Sequence, residues 1–381
     1  MTDLQWMNRA ITLAKRGRSH PNPPVGAVIV RDGILLGSGY HSGVGTRHAE
    51  HMALDSAKGN VAGADMYVTL EPCCHTIGRD NRERVPCVSR CIEAGLARLI
   101  IATTDVDVRT CGEGIRKLRS AGLLVDVGVG AAAAIWQQRG FRKLQASGRP
   151  FVMHKVATTL DGHTACEGGD SRWITSSAAR KQVHHWRSEM DGILVGAETI
   201  IRDDPDLTPR GVRLCQGRLP QVVVFDRTLR IPITARVVRP GTTIITTQRA
   251  SEEKLAKFQK SGCHVHVMES DMLDIRDAML WLGTLGMGLV MLEAGGTLAG
   301  AFYQACCVDY VAWFIAPKLV GGGGAPIGIA GNPLTVNMSD AIELTDARSR
   351  RYGIDILITG IPDTNHEGNK DNVHRYCRDN R

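Results

Sequence analysis

The sequence predicts a protein of the α/β class built from two domains. Three observations carry this. The chain of 381 residues exceeds what one ordinary hydrophobic core serves. Each half alternates short apolar runs with stretches of helical periodicity. Between the halves lies "QASGRP", Gln145–Pro150, a polar joint containing Gly and Pro. The expected boundaries are 1–146 and 150–360, followed by a tail over 361–381.

The chain opens on "MTDLQWMNRAITLAKRG", an amphipathic helix with Leu4, Met7, Ile11 and Ala14 along one face and Gly17 as its stop. This start carries an acid and lacks a continuous apolar stretch, so it does not read as a secretion signal. "VGAVIVRDGILLGSGY" gives two strands about an Asp32-Gly33 turn. Next come a helix in "HAEHMALDSAKG", a strand in "DMYVTL" and a helix opened by Pro86 and closed by Gly95. "RLIIATT" is a strand, "GEGIRKLRSAG" a helix, "LLVDVGV" a strand and "AAAAIWQQRGFRKLQASG" one last helix. The second half runs through strands in "PFVMHKVATTLDG", "GILVGA", "PQVVVFD", "TTIITT", "CHVHVM", "GLVMLEAG" and "YVAWFIAPKL", with helical stretches between most of them. It closes with "YGIDILITG". The tail from Ile361 is polar, lacks apolar periodicity and is expected to be disordered.

A hydrophobic content of 43% with 22% charged residues is that of a soluble globular protein. No run of eighteen apolar residues exists, so no membrane span is expected. Eleven cysteines scattered over a long chain suit a reducing cytoplasm, where clustered thiols bind metal or do chemistry more often than they form disulfides. The net charge of +7 suits an anionic ligand, either nucleic acid or a phosphorylated small molecule, and does not choose between them.

The stretch "VTLEPCCHTIGRDNRERVPC", Val68–Cys87, concentrates cysteines, a histidine and arginines at a strand end, and "HAE" at His48–Glu50 precedes it. His48, Cys73 and Cys87 supply one imidazole and two thiolates. Three protein ligands leave the fourth corner of a tetrahedral zinc open, as catalytic sites require. Zinc brings the pKa of water in that corner toward neutrality. Glu50 is placed to take that proton and hand it to a leaving amine. His-x-Glu followed by Pro-Cys and a second cysteine is the signature of zinc deaminases of nucleobases. A closed structural site on Cys73, Cys74 and Cys87 or Cys91 would leave His48 and Glu50 without a purpose. A redox pair is disfavoured because Cys73 and Cys74 are adjacent. Cys74 and Cys91 are read as packing residues.

The segments "HPNPPVGAVIV", "GYH", "HAEHMAL", "YVTLEPCCH", "KVATTLDG", "SRWIT", "DDPDLTPR" and "EAGGTLAG" together resemble the bifunctional riboflavin-biosynthesis deaminase–reductase family, over residues 1 to 360 and in that family's order. The resemblance implies an N-terminal cytidine-deaminase-like αβα domain, which removes an amino group from a diaminopyrimidine carrying a phosphoribosylamino group. It implies a C-terminal dihydrofolate-reductase-like α/β domain, which uses NADPH to reduce the ribosyl group to ribityl. It assigns zinc to His48, Cys73 and Cys87, proton transfer to Glu50, and pyrimidine contacts to Asn22, His41 and His75. Arg79 takes the place of the family's basic residue on the substrate phosphate. In the second half it assigns cofactor contacts to Ala157, Trp173, Thr199 and Asp203, and substrate contacts to Ser171, Arg187, Leu207, Arg210 and Glu293. The run Gly295, Gly296, Thr297, Leu298, Ala299, Gly300 and Ala301 matches the turn that holds the cofactor phosphate.

Read by themselves, the residues agree with much of this. "EAGGTLAG" is a strand end, two glycines and a helix start, so backbone N–H groups can face a phosphate. No Gly-x-Gly-x-x-Gly fingerprint opens a strand–helix unit, which argues against an ordinary dinucleotide fold. Arg187 and Arg210 suit a phosphorylated sugar and equally suit a protein surface. Trp173 equally suits a core. Lys155 and Asp161 are candidates for polarising or protonating the sugar oxygen, with roles left open. Two departures from the family stand out. "DNRERV" lengthens the loop between Cys73 and Cys87, with Arg82 and Arg84 read as solvated, and "DVDV" at Asp105–Val108 replaces Asp-Pro-Asn-Pro beside the pyrimidine site.

Other functions fit less well. A nucleic-acid base deaminase needs stacking aromatics, and only 5% of residues are aromatic. A non-enzymatic binder, or a protein active only in its reductase half, conflicts with the complete set of zinc-site side chains. One zinc per chain and NADPH are the expected cofactors, and a phosphorylated pyrimidine is the expected small-molecule partner. A homo-oligomer is expected, with neither nucleic acid nor membrane as partner, in the cytoplasm.

Overall fold

A computed structural model describes residues 1–17, 20–77 and 83–363. The chain separates into two compact units, one over Met1–Gly148 and one beginning at Arg149.

The first unit contains α1 (Asp3–Ala14), β1 (Gly26–Arg31), β2 (Ile34–Tyr40), α2 (Ala49–Asp55), β3 (Asp65–Val68), α3 (Cys87–Glu93), β4 (Arg98–Ile101), α4 (Glu113–Ser120), β5 (Leu124–Val127), α5 (Ala131–Gln137) and α6 (Arg139–Ser147). Its sheet has the order β2-β1-β3-β4-β5. β1 runs antiparallel to both β2 and β3, while β3, β4 and β5 are parallel. Alternation along β1 separates two apolar layers. Val28 and Val30 pack on α1 and Ala134 of α5, whereas Ala27 and Ile29 share a core with α2, α3 and α4. Helices therefore cover both faces. Asp32 and Gly33 both have positive φ, 53° and 76°, the conformation a two-residue turn between twisted strands requires. A Cβ on Gly39 would lie 2.3 Å from the Ala49 carbonyl oxygen, so glycine is what lets α2 seat its first turn on β2.

Two expectations are corrected here. Leu4 is 52% exposed. The buried arc of α1 is Met7, Ala10, Ile11 and Ala14, with Trp6 covering one margin and Leu4 beyond the other. The single helix expected over 131–148 is two, meeting at Gln138. That buried side chain donates from Nε2 to the Thr69 carbonyl at 2.8 Å, tying the junction to the end of β3.

The second unit contains β6 (Phe151–Thr159), α7 (Ser177–Glu189), β7 (Gly192–Gly196), α8 (Ala197–Asp203), β8 (Gln221–Phe225), β9 (Thr243–Thr247), α9 (Glu252–Lys260), β10 (His264–Met268), α10 (Ile275–Thr284), β11 (Leu289–Leu292), α11 (Gly296–Gln304), β12 (Tyr310–Ala316), β13 (Glu343–Tyr352) and β14 (Asp355–Asp363). The sheet order is β10-β9-β8-β7-β11-β6-β12-β14-β13, parallel from β10 through β12 and antiparallel thereafter. Leu289 and Met291 face the core shared with α7, α8 and α9, while Val290 and Leu292 face α10 and α11. A parallel sheet covered on both faces opens its crevice at the carboxyl ends of its strands. Among the described residues no helix is long and apolar enough to cross a membrane.

The sequence predicts a tail from Ile361 and no strand over residues 343–352. β14 instead runs to Asp363, with Ile361 buried and paired with Thr345 of β13. The rest of the tail lies outside the described residues. β13, "ELTDARSRRY", is a largely exposed edge strand with a register shift between Thr345 and Arg348. Its charges are what protects an edge from pairing with another chain, and they hide the apolar alternation that marks a strand.

Candidate active sites

In the first unit, two helix starts meet at the end of β3. His48 is the N-cap of α2, and Cys87 is the first residue of α3, behind Pro86. The Val88 N–H donates to the Cys73 carbonyl at 3.2 Å, joining the ligand loop to α3. His48 Nδ1 lies 3.3 Å from Cys87 Sγ and 3.5 Å from Cys73 Sγ. The three ligand atoms all fall within 4.8 Å of one another. For tetrahedral zinc with Zn–N about 2.0 Å and Zn–S about 2.3 Å, neighbouring N and S ligands stand roughly 3.5 Å apart. The residues fit the metal. Hydrogen bonds from Cys87 and His48 push the Cys73 thiol down to about 3 despite burial, while burial pushes Cys87 well up. Of the two sulfurs, Cys73 is the one that favours thiolate and Cys87 the one that favours its proton. Cys74 and Cys91 belong to the apolar core.

Glu50, in the first turn of α2, is buried beside these ligands, and burial raises its carboxyl to about 7. A cavity of about 310 Å³ opens over it, lined by Asn22, His41, His48, Glu50, Cys73 and His75 among others. His41 is buried, which lowers its pKa to about 4 and keeps it neutral. Its Nδ1 faces the Arg47 carbonyl at 3.2 Å and so carries the proton, leaving Nε2 to accept from Asn22 Nδ2 at 3.2 Å. His75 Nδ1 lies 3.3 Å from the Thr110 hydroxyl.

Several residues of this site carried no role in the sequence reading. Glu71, buried in "LEPCC", accepts the backbone N–H groups of Asp105, Gly112 and Ile115 at 3.2, 2.9 and 3.1 Å. It therefore clamps the 105–115 segment to the ligand loop. An acid inside an apolar strand end was the available signal. Asp105, Asp107 and Arg109 line the cavity. Arg109 pairs with both carboxylate oxygens of Asp107, the shortest contact being 2.6 Å. Arg84 is not solvated as expected. It is half-buried on the cavity wall, with Nη1 3.2 Å from His48 Nε2, next to Glu83, which bridges to Ile77. Arg79 and Arg82 lie outside the described residues.

In the second unit, Lys155 and Ala157 lie on β6 and Glu293 follows β11. Arg187 of α7 grips Glu293 with two hydrogen bonds, Nε to Oε1 at 2.6 Å and Nη2 to Oε2 at 2.9 Å. Lys155 Nζ stands 3.8 Å from the same carboxylate. Burial pushes Glu293 up, but the two cations overcome it and hold the carboxyl at about 2. Burial lowers the Lys155 pKa against the pull of Glu293. Arg210 is exposed, and its N–H donates to His184 Nδ1 at 3.2 Å, three residues before Arg187 on α7. Leu207 has φ 59° and its side chain belongs to the core.

Gly295 caps α11, and its N–H donates to Thr199 Oγ1 of α8 at 3.3 Å. Gly296, Thr297 and Leu298 form the first turn, where N–H groups have no intrahelical acceptor. That turn beyond β11 fits a phosphate. Ala299 and Gly300 face inward, a Cβ on Gly300 falling 2.0 Å from the Ala330 carbonyl oxygen, and Ala301 follows them along the helix. Trp173 is 59% exposed under the Arg180 guanidinium at 4.4 Å, so it is not a core residue. Ser171 is half-buried beside Arg172, whose Nη2 donates to the Asp203 carbonyl at 2.7 Å. Asp161 is exposed, with its carboxylate accepting the Val320 and Gly321 N–H groups at 3.0 and 2.7 Å. The Thr159 hydroxyl and these amides hold it at about 2.

This fold and these two constellations define a zinc-dependent pyrimidine deaminase domain followed by a reductase domain. Residues 1–103 match the cytidine and deoxycytidylate deaminase zinc-binding region, and residues 150–358 match the RibD C-terminal domain. The riboflavin biosynthesis protein RibD of Escherichia coli is 36% identical over 94% of this chain and 99% of its own length. That of Bacillus amyloliquefaciens is 36% identical over 97% and 98%. A solved Acinetobacter baumannii RibD superposes with a TM-score of 0.81 at 33% identity, covering 94% of this chain and 98% of its own. The Thermotoga maritima diaminohydroxyphosphoribosylaminopyrimidine deaminase/5-amino-6-(5-phosphoribosylamino)uracil reductase gives 0.78 at 31%, with the same coverage. The chain belongs to the RibD family, the bifunctional enzymes of riboflavin biosynthesis that join a zinc-dependent deaminase to an NADPH-dependent reductase.

Proposed function

We propose that the first site hydrolyses 2,5-diamino-6-(5-phosphoribosylamino)pyrimidin-4-one to its uracil form and the second reduces the ribosyl chain of that product to ribityl. The convergence of His48, Cys73 and Cys87 beside the buried carboxyl of Glu50 is the observation that carries the reading. Zinc held there supplies Lewis-acid activation of water near neutral pH. Glu50, with a carboxyl raised to about 7, takes a proton from the attacking water and returns it to the departing ammonia. Asn22 and neutral His41 orient the ring, and His75 borders it.

In the second site the first turn of α11 would hold the phosphate of NADPH, which when bound would supply the hydride. Thr199 fixes the entry to that turn, and Ala157, Trp173 and Asp203 border the cofactor. Lys155 provides the proton for the sugar oxygen, poised by burial and oriented by Glu293, while Arg187 and Arg210 receive the sugar phosphate side with Ser171. Asp161 is assigned a different task from the one open in the sequence. With its oxygens on the Val320 and Gly321 amides, it shapes the glycine-rich segment and does not serve as an acid. A cytoplasmic location suits the described cysteines, which form no disulfide with one another, and self-association of the chain is retained as an expectation.

The test is incubation of the zinc-analysed protein with the diaminopyrimidine phosphoriboside, with and without NADPH, following ammonia and cofactor absorbance separately. Ammonia release without NADPH and cofactor oxidation only after deamination are expected. No ammonia from zinc-loaded protein would refute the first assignment, and no cofactor oxidation the second.

A further inference from the structure

The loop that carries Leu207 and Arg210 is strained and held from outside. Asp204 and Leu207 have φ of 39° and 59°, a region that residues with a Cβ seldom occupy. At one end, Asp204 Oδ1 accepts the Arg236 N–H at 2.8 Å, and Asp206 Oδ1 accepts from Arg239 Nη1 at 3.0 Å. Leu207 is sunk in the core. At the other end, the Arg210 N–H donates to His184 Nδ1 at 3.2 Å, and the Thr208 carbonyl stands against the same ring. His184 lies on α7 three residues before Arg187, so the two side chains leave the helix on one face. The charges around it are Arg187, Arg210 and Glu293. Burial and the two arginines lower its pKa, so the ring is neutral and can accept at Nδ1.

Resting on the reading of this site as the reductase centre, we propose that His184 is a positioning residue. By fixing the Thr208–Arg210 end of the loop on α7, it sets the Arg210 guanidinium at the phosphate-bearing end of the sugar. Arg187 is already gripped by both oxygens of Glu293. The Arg210 side chain is exposed, and no carboxylate among the described residues pairs with it. It is therefore the guanidinium left to give phosphate paired, charge-assisted hydrogen bonds. Holding its backbone in advance removes part of the ordering cost that binding would otherwise carry. His184 supplies that fixed point, on the same helix that sets Arg187 against Glu293. The family resemblance gives tasks to Leu207, Arg210, Arg187 and Glu293, and none to His184.

The experiment uses the full chain and follows NADPH oxidation with the deaminated phosphoribosylamino compound and with its dephosphorylated counterpart. His184→Leu removes the acceptor, and His184→Asn keeps an oxygen near the place of Nδ1. Arg210→Gln is made alone and together with His184→Leu. His184→Leu is expected to raise KM for the phosphorylated compound about tenfold, with kcat within about twofold and KM for NADPH unchanged. KM for the dephosphorylated compound should not move. His184→Asn should recover most of the loss. Added to Arg210→Gln, His184→Leu should change little further, since both substitutions act on one contact. The proposal is overturned by an unchanged KM, by an equal rise for both compounds, by additive effects of the two substitutions, or by no recovery in His184→Asn. Absence of NADPH oxidation by the unaltered protein would instead refute the reductase reading, and this role would fall with it.

Discussion

Glu293 accepts both prongs of the Arg187 guanidinium, at 2.6 and 2.9 Å, in a site where each side chain is nearly buried. Breaking such a pair leaves a charge without its partner, which costs about 3–5 kcal/mol. Glu293→Gln should therefore lower the thermal transition of the reductase unit and abolish cofactor oxidation. Ammonia release reports separately on the other unit. Cofactor oxidation at the normal rate would remove Glu293 from the site.

The same carboxylate gives the unit an acid limit. Its pKa falls from an ordinary 4.5 to about 2 on folding, so its stabilisation is present above about 4.5 and is lost as pH falls toward 2. That difference is worth roughly 3 kcal/mol. Denaturant titrations of the unaltered protein and Glu293→Gln should differ at pH 7 and converge near pH 2–3. Parallel curves would contradict the linkage.

Zinc binding should release protons. Cys73 is thiolate-prone and Cys87 is pushed up by burial, so the ion must displace the proton the pair retains. Apparent affinity in chelator competition is expected to rise about tenfold per pH unit for each proton displaced. An affinity independent of pH between 6 and 8 would show both sulfurs already ionised.

Glu50→Gln keeps the shape of the site and removes its proton carrier. Zinc content should persist while ammonia release falls by about 10²–10⁴-fold. Turnover near normal would take the relay away from this residue.

Glu71→Ala strips the acceptor from three backbone N–H groups at once. Each buried group left unpaired costs about 1–3 kcal/mol. The deaminase unit should lose several degrees of thermal stability, with a KM increase because Asp105 and Asp107 line the cavity. Stability and KM both unchanged would dismiss the clamp.

The metal ligands could be read from the sequence because each sits beside an element boundary that the sequence also marks. His48 caps a helix, and Cys87 follows a proline that starts another. The layers could be read from period-2 and helical alternation, as along β1. What escaped depends on return of the chain through space. Arg84 looks like any charged residue of an insertion until the Ile77–Glu83 bridge turns it inward. Gln138 looks helical until its amide is needed at Thr69, and Leu4 fits a helical face that the sheet does not reach. β13 lacked an apolar rhythm because it lies at an edge.

Asp105 and Asp107 stand on a segment whose amides are pinned by Glu71 and by Asp105 itself, with Val106 and Val108 between them. Shape there is imposed from a distant residue, not from ring-locked dihedrals along the segment. Mutational drift at the exposed Val108 should accordingly be cheap, whereas Val106 packs against the apolar core and must stay hydrophobic, and the evolutionary constraint on the backbone of this wall is transferred to position 71.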